Sequence, residues 1–334
     1  MDLSTRYMGL ELANPVVASA SPLNADLDNI RRLEDAGVAA IVLPSLFEEE
    51  IRAEALRYER LTGAVTESFA EALTYFPEHG ITHGGTTRYL DLAQRAVEAV
   101  DAPIIGSLND TTPEGWITYA REIEEAGAHG LELNVYFLPT DLSLSGRAVE
   151  QRYPDVLAAV RETVTIPIAV KLSPYLSAPG HVAMELARGG ADALVLFNRL
   201  YQPDIDIVRL QLRNDLELSR HEEIRLPLLW IAVLAGRVRA SLAASTGVES
   251  WEEIVKYLMA GADVVMTTSA LLRHGVGFVG DLLAGLRAWL SARGIHSVDR
   301  IRGLLSRQRL GLTEAFERAS YLEILSWPRG GERS

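Results

Sequence analysis

The sequence predicts an α/β fold, a single (β/α)8 (TIM) barrel with insertions on its C-terminal face. A recurring module comes first: an amphipathic helix, a small residue and a glycine that end it, then a short apolar strand. It appears as EDAGVAAIVL ending at Leu43, EEAGAHGLEL ending at Leu133, ARGGADALVL ending at Leu196 and MAGADVVMTT ending at Thr268. Gly37, Gly127, Gly190 and Gly261 close these helices where a left-handed C-cap is cheap. Their spacing suits two βα units rather than one, so each gap should hold a further strand.

The second observation is that those strands are present. They read PIIGSL at 103–108, PIAVKL at 167–172 and SLAAS at 241–245, and PVVAS at 15–19 brings the total to eight. Pro103 and Pro167 stop the preceding helices. Every strand is short and apolar without strict alternation, as parallel strands buried on both faces are. Helical periodicity separates them in LDNIRRLEDA, YLDLAQRAVEAV, EGWITYAREIEEA, PDVLAAVRETV, HVAMELARG, LPLLWIAVLAGRVRA and SWEEIVKYLMA. Eight strands, most followed by a helix, favour a closed barrel over an open doubly wound sheet.

One domain is expected over residues 1–334, with the barrel at about 12–295 and a C-terminal helical extension at about 296–328. Three stretches exceed the minimal barrel: 47–88, expected to hold a helix and an excursion over the top face, the loop 136–147, and 201–226, whose alternation IDIVRLQLRNDLELS suggests a small β excursion. All three leave C-terminal strand ends, where barrels build their sites.

Composition narrows the chemistry. A formal charge of −13 argues against a nucleic-acid backbone as partner, which needs a dense basic surface. The N-terminus lacks the apolar core of a signal peptide and no run of 18 apolar residues occurs, so a cytoplasmic protein without a membrane span is expected. With no cysteine, disulfides, thiolate metal sites and a cysteine base are excluded. His79 and His83 are four apart, but FPEHGITHGG does not read as helix, and no metal site is predicted.

Lys171 lies near the end of the fifth strand, where a buried ammonium needs a partner. It can form a structural ion pair with an acid such as Glu132, face an electron-rich cofactor ring, or serve as a Schiff-base amine. Asn134 after the fourth strand and Asn198 after the sixth bring two amides toward the same mouth. Ser19 and Ser21 follow the first strand, Ser245, Thr246 and Gly247 the seventh, and Thr267, Thr268 and Ser269 the eighth. The loops after strands seven and eight form the usual phosphate cradle of such barrels, so a phosphorylated cofactor is expected there.

These segments resemble the dihydroorotate dehydrogenase family of FMN-containing barrels over roughly residues 3–295, through GLELANPVVASAS, APIIGSLN, LELN, IPIAVKLSPY, FN and STGVESWEEIVKYLMAGADVVMTTSAL. The resemblance implies FMN, with Lys171 at the electron-rich edge of the flavin and Asn134 and Asn198 beside ring and substrate. It also implies that Ser19, Ala20 and Ser21 line the cofactor, that Ser45 and Asn109 join them, and that Ser245–Gly247 and Thr267–Ser269 hold the phosphate.

The departures fall on the substrate side. In the family a cysteine or serine base stands three residues after the fourth-strand asparagine, followed by a proline and a second asparagine. Here N-V-Y-F-L-P puts Phe137 at the base position and Pro139 where that asparagine belongs, and a phenyl ring accepts no proton. Pro44 replaces a lysine before Ser45, and TESFAEALTYF replaces an asparagine-glycine turn. The resemblance therefore implies an FMN oxidoreductase inactive on dihydroorotate, with Tyr136, Ser143, Ser145 or Tyr175 as candidate replacement acids. A non-catalytic flavin-binding protein, an electron-carrying or regulatory partner of another redox enzyme, and a Schiff-base aldolase using Lys171, are the alternatives. A small-molecule substrate and a homodimer are the expected partners.

Overall fold

The computed structural model describes residues 1–47, 84–109, 112–200, 203–213 and 217–311. Eight parallel strands close into the expected barrel: β3 (Val16–Ala18), β4 (Ala40–Phe47), β5 (Ile104–Asn109), β6 (Gly130–Asn134), β7 (Ile168–Leu172), β8 (Ala193–Leu196), β11 (Ser241–Ala244) and β12 (Val264–Thr267), with β12 pairing back to β3. Among the described residues two antiparallel hairpins complete the strands, β1 (Thr5–Tyr7) with β2 (Leu10–Leu12) and β9 (Asp204–Asp206) with β10 (Gln211–Arg213). The second is the β excursion that the 201–226 alternation predicts.

Helices follow each barrel strand: α1 (Leu27–Asp35), α2 (Gly84–Ala99), α3 (Pro113–Glu125), α4 (Gly146–Arg161), α5 (Pro179–Arg188), α6 (Arg225–Leu234), α7 (Trp251–Ala260), and after β12 both α8 (Ser269–His274) and α9 (Phe278–Ala292). Their starts are chemically marked. Asp26, Thr112, Ser145 and Ser250 accept first-turn N–H groups of α1, α3, α4 and α7, and Ser250 with Glu253 forms a reciprocal capping box. The four module glycines all have positive φ, from +89° to +121°. At Gly106 the requirement is space instead, because a Cβ there would lie 2.3 Å from Ile123 of α3.

Two boundaries differ from the sequence expectation. α4 begins at Gly146, eight residues before the proline of PDVL, because Ser145 supplies the cap and Pro154 is carried inside the helix. α6 stops at Leu234, with Gly236 at φ +76°, so the segment through Ala240 is a turn. The expected helix over 47–88 falls almost wholly in 48–83, outside the described residues. Of the C-terminal extension, residues 296–311 are described and hold a 3-10 turn at Val298–Arg300 and a short helix, α10 (Arg307–Leu310).

The core has two shells. One packs strand outer faces against the helices, with Ile41, Ile104, Leu131, Leu133 and Leu286 fully buried. The other fills the barrel, where Ala40, Ala169, Ala193 and Ala243 leave room beside Val17, Val42, Ile105 and Met266. Tyr7 and Met8 of the first hairpin, both buried, join that inner cluster. Among the described residues no helix is long and apolar enough to cross a membrane.

Candidate functional site

Two adjoining cavities open at the C-terminal ends of the strands, of about 270 and 590 Å³. They share Asn198, Arg199, Glu217 and Thr246. The smaller is lined by Ser19, Ala20, Ser21, Lys171, Asn198, Ser245, Thr246, Gly247, Thr267, Thr268 and Ser269, so most of the sequence-derived set converges on one cleft. The larger has aromatic and apolar walls, including Tyr136, Tyr175, Phe197, Leu226 and Pro227.

Lys171 sits at the deep end. Its side chain is 8% exposed, and Nζ lies 3.2 Å from Glu132 Oε1 and 3.5 Å from Ser19 Oγ. Glu132 is fully buried, and its Oε2 has no hydrogen-bond partner. The ion pair expected of a buried ammonium is therefore formed while Lys171 still faces the cleft. Burial, and then the negative charge of Glu132, push the Tyr7 phenol up.

Beside the lysine a chain of polar side chains crosses the strand ends. Asn198 Nδ2 donates to Asn134 Oδ1 at 2.5 Å, Asn134 Nδ2 donates to Ser45 Oγ at 3.0 Å, and Ser45 and Ser107 hydroxyls are 2.8 Å apart. Ser45 and Asn134 are thus joined to the cleft through Asn198 rather than lining it. Asn109 is buried at the end of β5 and does not line either cavity.

The opposite end is rich in hydroxyls. The close approach that Gly247 permits is to its own chain: a Cβ would lie 2.6 Å from Ile224 and 2.9 Å from the Arg220 carbonyl, and its N–H donates to Ser219 Oγ at 3.2 Å. Ser219 also donates its backbone N–H to Ser269 Oγ, bridging the β11 and β12 loops. Thr246 occupies φ +82°, a strained region for a β-branched residue, and Tyr257 donates to its carbonyl at 2.8 Å. Asn24, 1% exposed, clamps the first strand end by donating to the carbonyls of Ser19 and Val42.

The candidate acids separate. Ser143 Oγ donates to Asp141 at 2.7 Å, Ser145 caps α4, and neither lines either cavity. Tyr136 and Tyr175 line the larger cavity. Phe137 lies under the Arg152 guanidinium, whose central carbon is 3.7 Å from the ring centroid. His79, His83 and the TESFAEALTYF segment lie outside the described residues, among which no three potential metal ligands gather.

Sequence reasoning missed Arg199, Glu217, Ser219 and Tyr257. Arg199 pairs with Glu223 at 3.0 Å and donates to the Glu217 carbonyl, fixing the loop between the cavities. Only the β excursion hinted that 217–219 would return to the cleft, while Tyr257 is indistinguishable in sequence from a core aromatic.

Similarity to known proteins is distributed over nearly the whole chain. It is 26% identical over 314 residues to a putative dihydroorotate dehydrogenase A (fumarate) of Aeropyrum pernix, covering 92% of this chain and 98% of that protein. The catalytic subunit of dihydroorotate dehydrogenase B (NAD(+)) of Methanothermobacter thermautotrophicus is 26% identical over 310 residues, covering 90% and 98%. Subunit PreA of the NAD-dependent dihydropyrimidine dehydrogenase of Escherichia coli is 22% identical over 336 residues, covering 91% and 76%. The dihydroorotate dehydrogenase family profile matches residues 2–290, and with the closed barrel and strand-end cleft this establishes that the chain belongs to the dihydroorotate dehydrogenase family.

Proposed function

We propose that the chain binds FMN in the smaller cavity and acts as a flavin oxidoreductase on a substrate other than dihydroorotate. The observation that carries this reading is the buried Lys171 ammonium at one end of a cleft whose other end gathers the hydroxyls of Ser219, Ser245, Thr267, Thr268 and Ser269. That donor set fits a ligand with an electron-rich ring at one end and a phosphate at the other.

When bound, FMN supplies hydride acceptance. Lys171 places positive charge beside the ring, and Glu132 holds the lysine upright while offsetting its desolvation. The amide chain Asn198–Asn134–Ser45 fixes one edge of the site with mutually oriented donors and acceptors. Substrate enters by the larger cavity, where Tyr136 is the residue of the 136–147 loop placed to exchange a proton. Phe137 lines neither cavity and packs against the Arg152 guanidinium instead.

A second reading, a flavin-binding subunit passing electrons to a partner protein, is favoured by likeness to PreA, itself named as a subunit. The aldolase reading recedes, since an ammonium paired with a carboxylate at 3.2 Å is a poor nucleophile. Homodimer formation is supported by the β9–β10 hairpin, where Ile207, Val208 and Leu210 are each more than 80% exposed.

The test is the visible spectrum of the purified protein followed by anaerobic mixing with reductants. Bound flavin, no rapid bleaching by dihydroorotate and bleaching by another CH–CH donor support an oxidoreductase. A colourless protein that takes up no added FMN sinks the proposal.

A further inference from the structure

We propose that the N-terminal face of the barrel carries a second ligand site, for a small organic molecule bearing two or more phosphates. An open cavity of about 650 Å³ lies there, between the turn that follows α6, the starts of β11 and β12, and the chain around residues 302–309. Cavities of this size suit a small molecule rather than a lone inorganic ion.

Its charge is opposite to that of the protein. The lining holds Arg6, Arg239, Arg302 and Arg309 against a single acid, Asp263, in a chain whose acids outnumber its lysines and arginines 45 to 32. Arg302 is engaged by Asp263 at 3.3 Å, Asp299 at 2.6 Å and the Thr5 hydroxyl. Asp263 is in turn engaged by the Leu242 N–H at 2.7 Å. Arg6 pairs with Glu11 in an exposed contact that holds it weakly. The side chains of Arg239 and Arg309 form no ion pair or hydrogen bond among the described residues.

Like charges brought together without counter-charges repel, and an acidic chain has ample carboxylates to neutralise them. Two guanidinium groups that no described residue pairs, set around one cavity, offer a receptor for anions, and the planar guanidinium fork matches phosphate oxygens two at a time. A single phosphate would satisfy one such fork, and the second fork calls for a second phosphate. Ala235, Val238 and Leu242 supply an apolar wall for an organic group. Nucleic acid does not fit, because a chain of net charge −13 repels an extended polyanion beyond the cavity.

β11 and β12 run from this cavity to the hydroxyl-rich loops of the opposite face, so the two sites stand at opposite ends of the same strands. The experiment must keep them apart. Calorimetric titration with ADP, AMP and inorganic pyrophosphate is therefore carried out on the full chain in excess FMN. ADP is expected to bind more tightly than either AMP or pyrophosphate. Arg239→Glu and Arg309→Glu should each weaken ADP at least about tenfold, because reversal replaces attraction by repulsion. Both side chains are exposed, so the ligand-free melting temperature should not move in either variant. Absence of ADP binding, ADP binding that both reversals leave unchanged, or ADP no tighter than pyrophosphate overturns the proposal.

Discussion

Replacing Lys171 by methionine isolates the energetics of the barrel mouth. Methionine keeps an unbranched apolar stem only one atom shorter than the lysine side chain, so the change is chiefly the loss of one buried positive charge. Its partner Glu132 is fully buried, with one oxygen 3.2 Å from Nζ and the other unpartnered. At an effective dielectric constant of about 20, charges at that separation attract by roughly 5 kcal/mol. Both ions have been taken out of water, so the net value of the intact pair is much smaller, but removing one partner strands the other and costs about 3–5 kcal/mol. Lys171→Met should therefore lose about 3–5 kcal/mol in urea unfolding of flavin-free protein, while Lys171→Met/Glu132→Gln recovers most of it. Flavin-free protein is required because a ligand that binds only the folded state adds its own stability. A single variant within 1 kcal/mol of the parent, or a double variant no more stable than the single, would refute the buried-pair account.

Three further outcomes are expected. Thr246→Gly should stabilise the chain by up to about 1 kcal/mol in thermal melts, since glycine accepts φ +82° without strain and the hydroxyl bond lost to the Phe197 carbonyl is long at 3.3 Å. Glu124 and Glu150 are opposed by burial, but hydrogen bonds from Thr165 and Ile166, and from Ser177 and Ala178, hold both below the usual carboxylate range. Their stabilisation is complete above the ordinary glutamate value near 4.5 and lost as pH falls through the lowered folded values, so Glu124→Gln and Glu150→Gln should flatten the acid limb of a stability–pH curve. Ser269→Asp, which sets a carboxylate at the hydroxyl-rich end of the cleft, should weaken FMN uptake by at least about tenfold while leaving the fold intact, and undiminished uptake would move the phosphate elsewhere.

The barrel was legible in the sequence because its signals are local. A glycine must end each module helix, a proline or cap residue marks element starts, and a parallel strand buried on both faces must be apolar, so Val16–Ala18, Ile168–Leu172 and Val264–Thr267 could be placed by inspection. Strand ends follow from strands, and this put Lys171, Asn198 and the hydroxyls of 245–246 and 267–269 on one face from the sequence alone. Where local signals conflict, the boundaries moved. Pro154 read as a helix start, yet the Ser145 cap and the burial of Tyr153 and Leu157 draw it inside α4. The first hairpin was missed because its turn sets Met8 at φ +53° beside Gly9, a conformation held by burying Tyr7 and Met8 at the barrel's base rather than by turn propensity. Only the tertiary structure decided which partners meet: Glu132 with Lys171 across neighbouring strands, Ser219 between two loops more than 25 residues away, and four arginines from three segments around one cavity. Such contacts join residues through space, and the pattern of neighbours along the chain carries no record of them.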